Sequence, residues 1–94
     1  MARNDIFVST QWLAERLDAP DVVVVEGSYY LPAQKRDANA EYAQQRIPGA
    51  VRFDIDAVKD KGSSLPHMLP RPDAFAAAVG AMGIGDGMRI VVYD

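Results

Sequence analysis

The sequence contains no cysteine among its 94 residues. This absence excludes disulfide bonds, metal sites built on thiolates and a thiol nucleophile within the chain. Histidine is almost as scarce, because His67 is the only one. Any proton transfer that uses an imidazole of this chain therefore involves His67.

Long hydrophobic runs and an excess of basic residues are also missing. No apolar stretch approaches the roughly 20 residues that a membrane-spanning helix needs. The segment from Met1 to Val8 lacks the features of a signal peptide. The net charge of -3 offers no basic surface for nucleic acid. We therefore expect a soluble, cytoplasmic protein that binds neither membranes nor nucleic acid.

What the chain does contain is typical of a globular domain. Apolar residues make up 49% of it and charged residues 24%, which argues against disorder. Three short apolar runs predict β-strands, at residues 22–25, 50–53 and 90–93. The first is four consecutive valines with no polar alternation. This pattern predicts a strand buried on both faces, as in a parallel sheet covered by helices.

Helices are predicted between and before these strands. Ser9 is a suitable N-cap for a first helix, because its hydroxyl can accept a hydrogen bond from a free backbone N–H. Asp37 or Asn39 can cap a short second helix. Pro72 fits the first position of a longer helix, and Gly83 fits the residue just past its end. Strands and helices alternate, so we expect right-handed crossovers and an α/β fold.

The pattern stops after the third strand, before further helices cover the sheet. We therefore interpret residues 1–94 as part of a single α/β domain, not a complete one.

Candidate functional residues follow the predicted strands. Ligands of open α/β sheets bind beyond the carboxyl ends of the strands. His67 lies in the segment from Ala57 to Pro70, whose two prolines and lack of periodicity predict a long loop. A carboxylate of Asp56 can hydrogen-bond this imidazole, fix its tautomer and raise its basicity. The carboxylates that follow the strands are Glu26, Asp54, Asp56 and Asp94.

Other interpretations of these residues stay open. A single histidine in a loop is often a structural hydrogen-bonding group, and Asp54 and Asp56 can simply cap a turn. Asp54, Asp56 and His67 could also form an acidic site for Mg²⁺ or Ca²⁺.

Several motifs together resemble one family. They are Tyr30-Leu31-Pro32, Arg36-Asp37-Ala38, Ile47-Pro48-Gly49-Ala50, Phe53-Asp54-Ile55-Asp56 and Pro66-His67-Met68-Leu69-Pro70. In this combination and spacing the chain resembles the N-terminal domain of two-domain rhodanese-type sulfurtransferases, most closely those that act on 3-mercaptopyruvate. The resemblance runs over essentially the whole chain.

The resemblance implies a rhodanese-like parallel sheet with helices on both faces, of which this chain has about three of five strands. It implies that a cysteine in the C-terminal domain, which this chain lacks, takes sulfur from 3-mercaptopyruvate or thiosulfate as a persulfide. The acceptor would be a thiol, cyanide or thioredoxin. Asp56 and His67 match the residues of a proposed relay to a serine in the cysteine loop. No cofactor or metal ion is implied.

Two residues differ from the usual family pattern, and both lie outside the proposed relay. Arg46 stands where a histidine usually precedes Ile-Pro-Gly-Ala, and Glu26 stands where an aspartate usually follows the first strand. Because it has no thiol, the 94-residue chain is predicted to be inactive alone. The alternative is a catalytically inert rhodanese-like module that binds a partner or itself.

Overall fold

The computed structural model describes residues 6–94 and has an α/β architecture. Its sheet consists of β1 (Val22–Glu26), β2 (Val51–Arg52) and β3 (Arg89–Tyr93). The strand order is β2-β1-β3, and β1 pairs in parallel with both neighbours. The predicted parallel sheet is confirmed. Its topology brings the carboxyl ends of all three strands to one edge.

Within residues 6–94, four α-helices accompany the sheet. They are α1 (Thr10–Ala14), α2 (Ala38–Gln44), α3 (Ile55–Val58) and α4 (Pro72–Ala81), and a 3₁₀ helix covers Pro32–Gln34. Among these residues, none of the helices combines the length and apolar character needed to cross a membrane.

Side chains cap the first two helices as the sequence predicts. Ser9 Oγ accepts a hydrogen bond from the backbone N–H of Trp12 at 3.0 Å. Asp37 Oδ1 accepts one from the N–H of Ala40 at 3.0 Å, so Asp37, not Asn39, is the cap of α2. Each bond satisfies a backbone donor that a helix start otherwise leaves free.

The end of α4 depends on a glycine, also as predicted. Gly83 has a φ of 87°, in the left-handed region that favours glycine. Its N–H donates to Gly80 O at 3.0 Å, and the N–H of Ile84 donates to Val79 O at 3.1 Å. These two bonds form a Schellman motif, which ends the helix and turns the chain toward β3.

The core lies between the sheet and the helices that precede its strands. Leu13 of α1, Val24 of β1 and Ala50 are buried, and Tyr42 of α2 and Val91 of β3 pack against them. Burial of each large apolar side chain stabilises the fold by about 1.5–3 kcal/mol.

The two faces of the sheet are covered unequally. On β1 both faces are covered, because the neighbouring residues Val24 and Val25 are each only 5% exposed. This confirms the prediction of a strand buried on both faces. On β3, however, Ile90 is 49% and Val92 is 65% exposed, while Val91 between them packs on the core. Among residues 6–94, nothing therefore covers the outer side of β3.

The prediction of a structureless loop from Ala57 to Pro70 is wrong at its beginning. The helix α3 occupies Ile55–Val58, and Val58 at its end is buried. Asp54 starts this helix by accepting a hydrogen bond from the N–H of Asp56 at 3.0 Å. A helix of four residues is too short to show a hydrophobic period, so the sequence pattern does not reveal it.

Candidate functional site

Asp56 and His67 are in direct contact at the surface of the protein. Nε2 of His67 lies 2.9 Å from Oδ1 of Asp56, which is hydrogen-bonding distance. The side chain of Asp56 is 54% exposed and that of His67 is 28% exposed. The two predicted site residues are therefore brought together, with the carboxylate open to solvent and the imidazole partly covered.

Asp56 is held by the start of α3. Asp54 uses Oδ1 to cap this helix and accepts a hydrogen bond from Asn39 on Oδ2 at 3.1 Å. Since Asn39 belongs to α2, this contact ties α3 to the preceding helix. Asp54 thus has a structural role, as the capping interpretation of its sequence position proposed.

A closed loop returns His67 to α3. The N–H of Asp60 donates to Met68 O at 2.8 Å and joins the two ends of the loop. Inside it, Asp60 Oδ1 accepts from the N–H of Gly62 at 3.0 Å. His67 itself has a φ of 55°, a left-handed conformation that is uncommon for a residue other than glycine. This backbone conformation and the loop closure together direct the imidazole toward Asp56.

Two further side chains contact the pair, and the sequence did not single them out. Nζ of Lys59 lies 3.5 Å from the same Oδ1 of Asp56 that contacts His67. The ring of Tyr29 meets the imidazole edge-on, with centroids 4.8 Å apart. The position of Lys59 three residues after Asp56 is a signal for a helical ion pair, but only once α3 is known.

The contacts of Asp56 keep its carboxylate ionised. The hydrogen bond with His67 lowers the pKa of Asp56 below its ordinary value, and Lys59 acts in the same direction. The partial loss of hydration raises the pKa of Asp56, but it is a weaker influence than the hydrogen bond with His67. Asp56 therefore stays an anion across the physiological pH range and can serve as a hydrogen-bond acceptor for the imidazole.

A cleft of about 310 Å³ adjoins Asp56. Its two guanidinium groups are both engaged with neighbouring protein groups. Arg36 binds Glu41 and lies 3.9 Å from the ring centroid of Tyr30, and Arg52 donates to Phe53 O at 2.8 Å. The cleft is lined by Tyr29, Tyr30, Arg36, Asp37, Ala38, Asn39, Arg52, Asp54 and Asp56.

Known proteins with similar sequences are sulfurtransferases. The chain is 44% identical to the 3-mercaptopyruvate sulfurtransferase of Escherichia coli (strain K12) over 89 residues, which are 94% of this chain and 32% of that protein. It is 44% identical over 94 residues to thiosulfate/3-mercaptopyruvate sulfurtransferase 1, mitochondrial, of Arabidopsis thaliana, covering 100% of this chain and 25% of that protein. The 3-mercaptopyruvate sulfurtransferase of Homo sapiens is 43% identical over 91 residues, 93% of this chain and 31% of that protein. No protein-family model matches the sequence.

Solved structures agree with these sequence matches. The crystal structure of a 3-mercaptopyruvate sulfotransferase from Escherichia coli, described as having the rhodanese fold, superposes with a TM-score of 0.86 at 44% identity. The superposition covers 94% of this chain and 34% of that one. The chain therefore has the rhodanese fold over the part that superposes. A sulfur transferase subunit of yeast mitochondrial complex I also superposes, with a TM-score of 0.84 at 38% identity, over 94% of this chain and 29% of the subunit.

The chain spans a third or less of the length of the three relatives named above. The resemblance to rhodanese-type sulfurtransferases that the sequence motifs indicated is confirmed, as is the rhodanese-like fold. The roles of Asp56 and His67 stay predictions, because these similarities concern the chain as a whole.

The metal-site interpretation finds no support in the described part of the chain. Among residues 6–94, no group of three or more histidine, aspartate or glutamate side chains is arranged to hold a metal ion. Both carboxylate oxygens of Asp54 are used, one by the helix cap and one by Asn39. Asp54 is therefore engaged in the local structure at the start of α3.

The two residues that differ from the family pattern are both engaged locally. Glu26 is buried, accepts a hydrogen bond from the N–H of Ser28 and lies 3.7 Å from NH1 of Arg52. Arg46 donates to Tyr42 O at 3.2 Å, and its guanidinium lies 4.8 Å from the ring centroid of Tyr42. Neither residue contacts the Asp56–His67 pair in the described part of the chain.

Proposed function

We propose that this chain is the N-terminal part of a sulfurtransferase whose nucleophilic cysteine lies in a separate C-terminal rhodanese domain. The sulfur donor is 3-mercaptopyruvate or thiosulfate, and the acceptor is a thiol, cyanide or thioredoxin. The names and the sequence identity of the relatives support this reaction class. Residues 1–94 then supply one wall of the active site.

The observation that carries the proposal is the contact between His67 Nε2 and Asp56 Oδ1 at 2.9 Å. A carboxylate that accepts a hydrogen bond from an imidazole fixes its tautomer and makes its other nitrogen a better base. Because Asp56 has a lowered pKa, it keeps its charge in this role. We assign His67 as the group that moves protons and Asp56 as its partner.

The reaction balances as a double displacement. The thiolate of the cysteine attacks the sulfur atom of 3-mercaptopyruvate, an S–S bond forms, and the C–S bond of the donor breaks. The bonding electrons leave with the carbon fragment as the enolate of pyruvate, which takes up a proton. An imidazole near the cysteine can take the proton of the thiol and return it to the enolate. The persulfide then passes its outer sulfur to the acceptor.

The test is turnover by the longer protein that contains this chain. His67→Asn and Asp56→Asn should each lower the rate of pyruvate release from 3-mercaptopyruvate, by about 100-fold for His67, the lower range for general acid–base catalysis. Lys61→Met, on the same loop, is the matched control and should keep the rate. Unchanged kinetics for His67→Asn would reject its catalytic role. A longer protein that turns over no sulfur donor would favour the alternative, an inert binding module.

The 94-residue chain gives a complementary test. Because it has no thiol to carry a persulfide, the purified chain should release no pyruvate above the uncatalysed rate. Catalytic release by the pure chain would contradict the whole proposal.

We also propose a cytoplasmic location for the protein. Because one relative is named as mitochondrial, cell fractionation is the experiment that distinguishes the two locations.

A further inference from the structure

A single oxygen of Asp56 contacts two donors. Oδ1 lies 2.9 Å from Nε2 of His67 and 3.5 Å from Nζ of Lys59. Asp56 and Lys59 are both attached to the short helix α3, whereas His67 arrives from the loop that follows. The carboxylate of Asp56 therefore contacts Lys59, which lies at the end of the same helix, and His67, which lies on the following loop.

Within residues 6–94, the hydrogen-bond and ion-pair partners of the Asp56 carboxylate are His67 and Lys59. The side chain of Asp56 is 54% exposed, and rotation about the last torsion of an aspartate is broad and roughly two-fold. Lys59 is better fixed, because its side chain is only 31% exposed. An ammonium three residues along the helix attracts the oxygen on its own side and keeps that oxygen toward the loop.

The orientation decides which imidazole nitrogen is available. When Nε2 donates to a carboxylate, the neutral ring carries its proton on Nε2 and keeps the lone pair on Nδ1. In the serine-hydrolase triad the carboxylate binds Nδ1 instead, and Nε2 transfers the proton. The imidazole of His67 is reversed relative to that arrangement.

We propose that Lys59 is a positioning residue, which holds Oδ1 of Asp56 against Nε2 of His67 and thereby presents Nδ1 as the nitrogen that exchanges protons with reacting groups. The catalytic meaning of this arrangement rests on the proposed sulfurtransferase function. The arrangement itself is a property of the side chains of this chain and can be measured without any sulfur donor.

The direct measurement is the tautomer of His67 by long-range ¹H–¹⁵N NMR with ring-labelled histidine. The 94-residue chain gives one imidazole signal, because it has one histidine. At about pH 8, where an ordinary imidazole is neutral, we expect a protonated Nε2 and an unprotonated Nδ1. A spectrum dominated by the Nδ1-protonated form would overturn the proposal.

Variants identify the part played by Lys59. Lys59→Met should lower the ratio of the Nε2-protonated to the Nδ1-protonated form about two-fold, the size expected for a partly exposed ion pair. Lys59→Arg should restore the ratio, and Lys61→Met, the loop lysine, should not change it. An unaltered ratio in Lys59→Met, with the backbone amide spectrum preserved, would refute the positioning role. If the 94-residue chain does not fold alone, the same spectra are recorded on the longer protein. There the His67→Asn variant identifies the signal of His67.

Kinetics separate this inference from the proposed function. In the longer protein, Lys59→Met should lower kcat about two-fold with little change in KM, because it disturbs orientation and not donor binding. If His67→Asn abolishes turnover while Lys59→Met leaves both the tautomer ratio and kcat unchanged, only the role of Lys59 fails. If the tautomer ratio responds to Lys59→Met but His67→Asn keeps full turnover, the positioning is real and the catalytic function fails.

Discussion

The ring of Tyr29 stands nearly perpendicular to the imidazole of His67, with an interplanar angle of 87° and centroids 4.8 Å apart. Edge-to-face contacts of this kind are favourable because the edge of one ring is electropositive and the face of the other is electronegative. Tyr29 follows β1, so the contact joins the sheet to the loop that carries His67. It gives the imidazole a second contact besides the hydrogen bond with Asp56.

Removing the ring of Tyr29 should weaken the packing around the imidazole of His67. We expect Tyr29→Ala to shift the ring-proton resonances of His67 and to lower the free energy of unfolding by about 0.5–1 kcal/mol. Tyr29→Phe keeps the aromatic edge and should leave both quantities unchanged. Two-dimensional NMR and urea denaturation measure them. Equal effects of both substitutions would show that the hydroxyl, not the ring contact, is responsible.

The hydrogen bond of Asp56 should respond to acid. Its pKa lies below the ordinary value of 3.8, chiefly because of the hydrogen bond with His67 and secondarily because of Lys59. A depressed folded-state pKa means that the stabilisation is complete above the unfolded value and is lost as the pH falls through the folded one. The Asp56–His67 contact should therefore persist at pH 5 and be lost only as the pH falls below 3.8, the ordinary pKa of an aspartate.

A titration of the Asp56 side-chain carbon signal checks this expectation. The midpoint should lie below that of an exposed aspartate, and His67→Asn should move it upward, toward the ordinary value. A midpoint at or above the ordinary value in the unsubstituted chain would contradict the contact.

Two glycines of the α4 region should respond oppositely to alanine. Gly83 has a φ of 87°, so a side chain there is strained by about 1 kcal/mol even though a Cβ would meet nothing within 4 Å. Gly80 lies inside α4, where a Cβ would also meet nothing within 4 Å, and alanine favours the helix by about 0.5–1 kcal/mol. Gly83→Ala should lower the midpoint of thermal unfolding, and Gly80→Ala should raise it. A loss of stability in both would show that crowding, not backbone conformation, governs this region.

The elements with strong local signals were predictable from the sequence. The run of valines in β1 has a high strand propensity, and Ser9, Asp37 and Gly83 mark helix ends through hydrogen bonds to nearby backbone or through backbone freedom. Such signals act within a few residues, so they can be recognised without the rest of the fold. The family motifs led to the same architecture by a separate route.

The candidate site was predictable only in part. The sequence placed Asp56 and His67 near one edge of the sheet, and the structure joins them, but their role in catalysis is still a prediction. The sequence did not predict α3, because four residues are too few to show a hydrophobic period. The ion pair between Lys59 and Asp56 was not predicted either, because it depends on α3. Tyr29 and His67 are far apart in the sequence, so no local pattern predicts their contact.

The central position of β1 also constrains how the protein is made. On the ribosome β1 is complete at Glu26, whereas its neighbour β3 begins only at Arg89. Pairing across such a separation must wait for nearly all of this segment to be synthesised, and the entropy of closing the long intervening chain slows it. Until β3 is synthesised, one edge of β1 is unpaired and can pair with other nascent chains. We therefore expect chaperones to protect this edge early in synthesis.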